Sequence, residues 1–528
     1  MPIIGTLLQK GIKLSKSIEQ ETTPPFILQK RELRKLIKKA EDTQFGRKYR
    51  FDLLLEYFGL VAKIRKIGER EFYEQWKNTV PIHNYNKIFN EWWYKCLNGE
   101  PDVTWPGLVR YFALSSGTSE ASSKHIPITK DMIKSIKKTS LRQIMALKNY
   151  NLPPSLYSKG ILMLGGSTTL NSKGHYYEGD LSGISASKIP FWFQTFYKPG
   201  KKIAKERDWN QKLEEITKRA KDWDIGYIVG VPSWIQILLE KIISYYNIQN
   251  IHQIWPNLSI FCHGGVSFEP YRESFQKLLG KPIQYIETYL ASEGFIAFQV
   301  RPERKSMRLI LNNGIFYEFI PFTEKNFDSD GELLPNPETY IIDEIEENKD
   351  YALLLSTCAG TWRYLIGDVI RFVDKKNNEI IITGRTKHFL SLCGEHLSVD
   401  NMNKAVSEVG RALNININEF TVYGIPCGSL FGHEWFLGIE GLVYNPEEVA
   451  HLLDLNLQKL NDDYATERLH ALKTVVVNIL PVSVFYNWMK LKGKEGGQNK
   501  FPRVMRKAQF EEWKKYVEQI PDRKVVKL

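Results

Sequence analysis

The chain has 528 residues, 43% hydrophobic and 12% aromatic, enough to fill the cores of two to four domains. Its net charge of +12, from 72 Lys+Arg against 60 Asp+Glu, is dispersed along the chain, which argues against a nucleic acid or a membrane surface as ligand. Five scattered cysteines without a C-x-x-C pair argue for reduced thiols in a cytoplasmic setting, and no apolar run reaches the length of a membrane span.

The first twenty residues lack the order of charged, apolar and cleavage regions of a signal peptide and read as a helix packed on the body. Between Lys30 and Ala40, the residues Leu33, Leu36, Ile37 and Ala40 recur at helical spacing, predicting an amphipathic helix with a solvated basic face. Val109 to Ala113 reads as a buried strand. The segment after it, Ser115, Ser116, Gly117, Thr118 and Ser119, has so little side-chain bulk that its N–H groups and hydroxyls can surround an anion, and Lys124 adds a point charge. The same composition also describes an ordinary polar turn, and it is not a P-loop, because Gly-Lys-Ser/Thr after a spaced glycine is missing.

Met132, Ile133, Ile136, Ile144 and Leu147 mark one further helix, and Leu213, Ile216, Ala220 and Trp223 another. Short apolar runs at 161–164, 227–231, 259–262 and 283–287 read as buried strands between helices, which predicts a helix-covered sheet with ligands at the loops beyond the strand ends. His263-Gly264-Gly265 and the segment Tyr289 to Gly294 fall at such ends. From 340 to 383 the pattern turns strand-rich, with ETYIIDEI at 338–345, DYALLLST, VIRFV and EIIIT each closed by charged or turn residues. After Arg385 it changes again: a helix near 401–412, strands at 419–424 and 435–439, a helix at 447–460 and a strand at 472–480 predict a compact α+β unit.

Five segments stand out together: SSGTS at 115–119, Tyr-Leu-Ala-Ser-Glu-Gly at 289–294, Arg-Tyr-Leu-Ile-Gly-Asp-Val at 363–369, Gly-Arg-Thr-Lys at 384–387 and Gly-Gln-Asn-Lys-Phe-Pro-Arg at 497–503. In this order they resemble the adenylate-forming enzymes, and within them the Gretchen-Hagen-type acyl-acid amido synthetases, the auxin-responsive family first named in plants. That family has bacterial relatives, of which this chain is expected to be one. Further segments at 29–51, 254–265 and 314–321, and the Asn461-x-x-Tyr464-x-x-x-Arg468 spacing, extend the resemblance over essentially the whole chain.

The resemblance implies an α/β fold with a large N-terminal adenylate-forming domain, 1–386, and a smaller mobile α+β domain, 387–528, that rotates between two half-reactions. It implies ATP and Mg²⁺, with no nucleic acid and no membrane as partner, in a monomer. Adenylation joins a carboxylate to the α-phosphate of ATP, so two anions must meet and fixed positive charge matters most. In this reading Ser115 to Ser119 hold phosphate with Gly264 and Gly265 nearby. Tyr289, Ala291 and Ser292 line the nucleotide, Glu293 is the metal-associated glutamate, and Asp368 accepts the ribose hydroxyls beside Arg385. Arg363 and Tyr364 lie beside the site, and Leu365 stands where the family commonly carries a second arginine. Lys124 either reaches the leaving phosphates or is a solvated charge. Lys500, on a glycine-rich loop, bridges the reacting oxygens. Glu395 and His396 are candidates for a base in amide formation. Met163, Phe191 to Phe193, Tyr227 and Trp234 either line the acyl pocket or belong to the core. The alternatives to an acid–amino acid ligase are an adenylate former that passes its acyl group to a thiol and a non-catalytic nucleotide-binding protein of the same fold.

Overall fold

The computed structural model describes residues 23–63, 69–115, 124–189, 193–265, 268–328, 331–386, 390, 395, 397–427, 430–441, 445–470, 472–494, 500–505, 507–521 and 523–528. The helix expected in the first twenty residues lies outside this set. The helix Pro25–Ala40 begins on a proline, whose missing N–H is no loss in a first turn. It buries Leu33, Leu36, Ile37 and Ala40 and turns its lysines to solvent.

An eleven-stranded sheet organises the large domain. Its antiparallel half runs Ile315–Pro321, Asp350–Thr357, Thr361–Asp374, Glu379–Arg385, Met307–Leu309 and Gly294–Phe298. Its parallel half runs Gln284–Ala291, Ile260–Gly264, Ile225–Gly230, Gly160–Met163 and Tyr197–Lys198. The β-branched and aromatic runs form the strands, and the helix Pro232–Tyr246 connects the parallel neighbours Ile225–Gly230 and Ile260–Gly264, as a crossover requires. Gln284–Ala291 pairs in parallel on one side and antiparallel on the other, so the two halves meet there. A second, four-stranded sheet contains Tyr111–Ser115 paired antiparallel to Lys124–Ile128.

The segment 338–345 is not a strand. Tyr340 makes a single bridge to Phe319, and Ile341 to Glu344 closes a turn in which the Glu344 carboxylate accepts the Ile341 N–H. Pro335 and Pro337 just before it remove the donors a ladder needs. The smaller C-terminal domain follows the expected order: Val399–Leu413, Asn416–Cys427, Leu430–Glu440, Pro446–Leu460 and Leu472–Pro481. Its four-stranded sheet closes with Lys524–Lys527, and the helices Val482–Leu491 and Lys507–Val517 face the large domain. One apolar cluster joins them. It holds Trp234, Phe261 and Tyr271 of the large domain with Phe485, Trp488, Phe501 and Trp513 of the small one.

Candidate active site

The residues singled out from the sequence converge where the two halves of the large sheet meet. A cleft of about 1340 Å³ opens there beneath the C-terminal domain, lined by Lys124, Gly264, Gly265, Tyr289, Ala291, Ser292, Glu293, Asp368, Arg385 and Lys500. Several sit on strands rather than on the loops the sequence suggested. Gly264 ends a strand, Tyr289 and Ala291 lie within one, and Ser292 and Glu293 form the two-residue turn that returns it. Lys124 likewise begins a strand, paired antiparallel with Tyr111–Ser115.

Asp368 and Arg385 face each other across adjacent antiparallel strands, with Arg385 Nε 2.8 Å from Asp368 Oδ1. Arg385 Nη2 also donates to the Ile366 carbonyl at 3.1 Å. The Tyr289 hydroxyl donates to the other oxygen of Asp368. The carboxylate is thus oriented from both sides, ready to accept hydroxyls entering from the cleft. Glu293 is buried, and burial first, then the charge of Asp368, pushes its carboxyl up to about 7. Arg385 and Lys124 oppose that shift.

Lys500 reaches the same cleft from the small domain. A Cβ built on Gly265 would lie 3.0 Å from its Cε and 3.3 Å from its Nζ. Gly265 has φ +87°, so glycine serves there twice, for backbone conformation and for room. Lys500 stays open to solvent in the cleft mouth, yet the surrounding protein pushes its ammonium down to about 8. Desolvation leads that shift, Arg385 adds to it, and Asp368 opposes it.

Of the proposed phosphate segment, Ser115 is seen only in its backbone, paired with Lys124, and Ser116 to Ser119 lie outside the described residues. So do the glycine loop 496–499, Phe191, Trp192 and His396. The Lys124 ammonium lies 5.2 Å from the Tyr85 ring centroid. Tyr364 lines the cleft, but Arg363, on the opposite face of the strand, points away into the core. There it pairs with buried Glu318 at 2.9 Å. Glu395 does not face the cleft either: it is fully buried and 2.9 Å from His433 inside the small domain. Met163 lines the cleft, whereas Tyr227 and Trp234 are core residues. Among the cleft residues that the sequence reading missed are Glu287, whose carboxyl burial pushes up to about 7, and Arg272, ion-paired to Glu269 at 3.0 Å. No short motif marks either.

Residues 14–217 and 177–283 match the GH3 family N-terminal domain, 308–383 the GH3 family central domain and 400–509 the GH3 family C-terminal domain. The chain belongs to the GH3 family. This bears out the Gretchen-Hagen resemblance. Among relatives, an indole-3-acetic acid-amido synthetase GH3.2 of Arabidopsis thaliana is 21% identical over 495 residues, covering 80% of this chain and 85% of the relative. A jasmonoyl–L-amino acid synthetase GH3.5 of Oryza sativa subsp. japonica is 23% identical over 449 residues, covering 70% and 74%. A solved structure of the AtGH3.15 acyl acid amido synthetase in complex with 2,4-DB superposes with TM-score 0.75 at 16% identity, covering 98% of this chain and 96% of that one. No helix among the described residues is long and apolar enough to cross a membrane.

Proposed function

We propose that this GH3-family chain is an ATP-dependent acyl-acid amido synthetase. It adenylates a carboxylic acid with release of pyrophosphate, then passes the acyl group to an amino acid or another amine. The observation that carries the reading is the meeting of Asp368, Arg385, Glu293 and Lys500, from two strands, a turn and a second domain, around one cleft. The amido-synthetase names of its relatives support the acceptor class, and they name different acids, so the acid is left as a class.

Asp368 takes the ribose hydroxyls, held by Arg385 and Tyr289. Lys500 supplies a compact cation where carboxylate and phosphate oxygens meet, the kind of fixed charge that favours a transition state in which two anions combine. Lys124 at the cleft edge and Ser115 to Ser119 complete the phosphate side. Gly264 and Gly265 keep the floor low enough for substrate and Lys500 together. Glu293 fits the role of Mg²⁺ ligand: it is a single buried carboxylate whose charge the protein leaves under-compensated. No group of three or more metal-ligating side chains occurs among the described residues, as suits an ion held chiefly by phosphates and water. When bound there, Mg²⁺ would neutralise phosphate charge. The domain division lies at 386/387, beside Arg385, and movement of 387–528 removes Lys500 for the amine to enter. Four described cysteines are unpaired, which supports a reducing, cytoplasmic setting.

Labelled pyrophosphate exchange into ATP, run with Mg²⁺ over a panel of carboxylic acids that includes indole-3-acetate and 2,4-DB, tests the reading. At least one acid should drive exchange, and its acyl-AMP should react with amines in preference to thiols. Exchange with no acid across a broad panel would sink the enzymatic reading.

A further inference from the structure

The loop stem that carries Lys500 is tied to the large domain through one buried carboxylate. Glu419, 3% exposed, lies in the small-domain strand Asn416–Cys427. One of its oxygens accepts a hydrogen bond from the Tyr271 hydroxyl of the large domain at 2.6 Å. The other accepts from Arg503 Nη1 at 2.7 Å. Tyr271 is 1% exposed and directly precedes Arg272, a cleft residue. Arg503 is three residues from Lys500. Its guanidinium also donates to the Phe420 carbonyl at 3.1 Å and lies over the Phe420 ring. Its own carbonyl accepts the Val422 N–H, and Met505 N–H returns to Val422, so residues 503–505 run alongside the strand that holds Glu419. Buried Phe501 packs on Phe485, Trp488 and Trp513 between them. The stem therefore belongs rigidly to the small domain. The position of Lys500 over Gly265 is set by where that domain sits.

We propose that Glu419 is a positioning residue which, by taking Tyr271 from the large domain and Arg503 from the small one, latches the domains in the arrangement that delivers Lys500 to the cleft. Neighbouring polar ties share the interface. Ser274 donates to Asn418 at 3.3 Å, and Gln236 to Glu440 at 3.1 Å. The Tyr271 hydroxyl reaches the Lys500 stem through a charged group, by way of Glu419 and of Arg503 beside it. The inference rests on the two-step reading above, because a latch matters only if the domains must part between steps. Forming it favours adenylation. Breaking it exposes a desolvated carboxylate that has lost a donor, which holds back the amide-forming arrangement.

Tyr271→Phe removes the hydroxyl and keeps the ring in its packing, so the full chain should fold. Two steps are read separately, with the acid that gives the fastest exchange in the unaltered chain. One is pyrophosphate exchange. The other is amide formation from that acid's chemically prepared acyl-AMP and a mixture of amino acids. The expected result is a fall of about tenfold or more in kcat for exchange, with KM for ATP unchanged, the factor a hydrogen bond to a charged group corresponds to. Amide formation from supplied acyl-AMP should hold steady or accelerate. Parallel loss of both steps would mean a structural contact only and would overturn the latch, as would no change in either. Glu419→Gln, which keeps an acceptor for Tyr271 but removes the charge facing Arg503, should shift the two steps in the same opposite directions; equal loss in both again overturns the latch. If the unaltered chain exchanges with no acid, the enzymatic reading fails first; if it exchanges and Tyr271→Phe matches it, the latch alone fails.

Discussion

An ammonium set against Gly265 and beside Arg385 gives up its proton more readily than one in water, and that makes Lys500 testable by pH. Below about 8 the side chain is charged; as pH rises through that value the charge is lost, and with it the contact to the reacting oxygens. The profile of kcat/KM for adenylation, which reports the free enzyme, should therefore fall on the alkaline side with a midpoint near 8 and not near the ordinary lysine value of about 10.4. A profile still flat at pH 9.5 would contradict it. Lys500→Ala should slow pyrophosphate exchange by about 10²–10³, the scale for one preorganised electrostatic contact, without a matching loss of thermal stability. Lys500→Arg, which stays charged, should lose the alkaline limb.

The strand Gln284–Ala291 ties the chemistry to the sheet, and its neighbour Ile260–Gly264 shows how little slack it has. Gly264 lies opposite Thr288, whose hydroxyl donates to the His263 carbonyl at 2.9 Å. A Cβ on Gly264 would come within 2.4 Å of the Thr288 carbonyl oxygen, which is backbone and cannot swing away. Gly264→Ala should therefore push the two strands apart, at a cost of about 1–3 kcal/mol for overpacking. It should displace Tyr289 and the Ser292–Glu293 turn with them. Exchange should fall by about 10²-fold, the penalty of a 1 Å misplacement. Melting followed by circular dichroism and exchange assayed on the same sample check both halves; an unaltered melting temperature would mean that the strands absorb the methyl group.

The same elements show what was legible beforehand. Periodicity located the buried strands and the C-terminal order, because each is an apolar run closed by turn residues. The ordered motifs found Glu293, Asp368, Arg385 and Lys500, because each belongs to a short segment and the segments keep one order along the chain. Three features were out of reach. ETYIIDEI has strand composition, but the prolines before it leave it a turn. Arg363 and Tyr364 are adjacent in sequence yet point to opposite faces of one strand, so one joins the cleft and the other the core. Glu395 follows the hinge segment, the place expected of a base, but its partner His433 is nearly forty residues away in sequence, and only the fold brings the two together to bury both.

At the scale of the whole molecule, the site exists only while both domains are in place, since Lys500 comes from one and Asp368, Arg385 and Glu293 from the other. The apolar cluster that runs from Phe261 and Tyr271 into Phe485, Trp488 and Phe501 gives the two a shared core. Unfolding either domain strips burial from its partner, so heating should produce one transition rather than two. A ligand that bridges the domains should shift that transition as a unit. At 100 times its Kd, ATP with Mg²⁺ adds about 2.7 kcal/mol to the folded state. With about 2.1 cal/mol/K of unfolding entropy per residue, a chain of 528 residues has roughly 1.1 kcal/mol/K, so the rise should be about 2–3 °C. Asp368→Ala should abolish the rise, because the ribose contact and the Arg385 pairing go together. Scanning calorimetry with and without nucleotide decides the matter: two separate transitions, of which ATP moves only the one belonging to the large domain, would mean that nucleotide binding and the placement of the C-terminal domain are uncoupled.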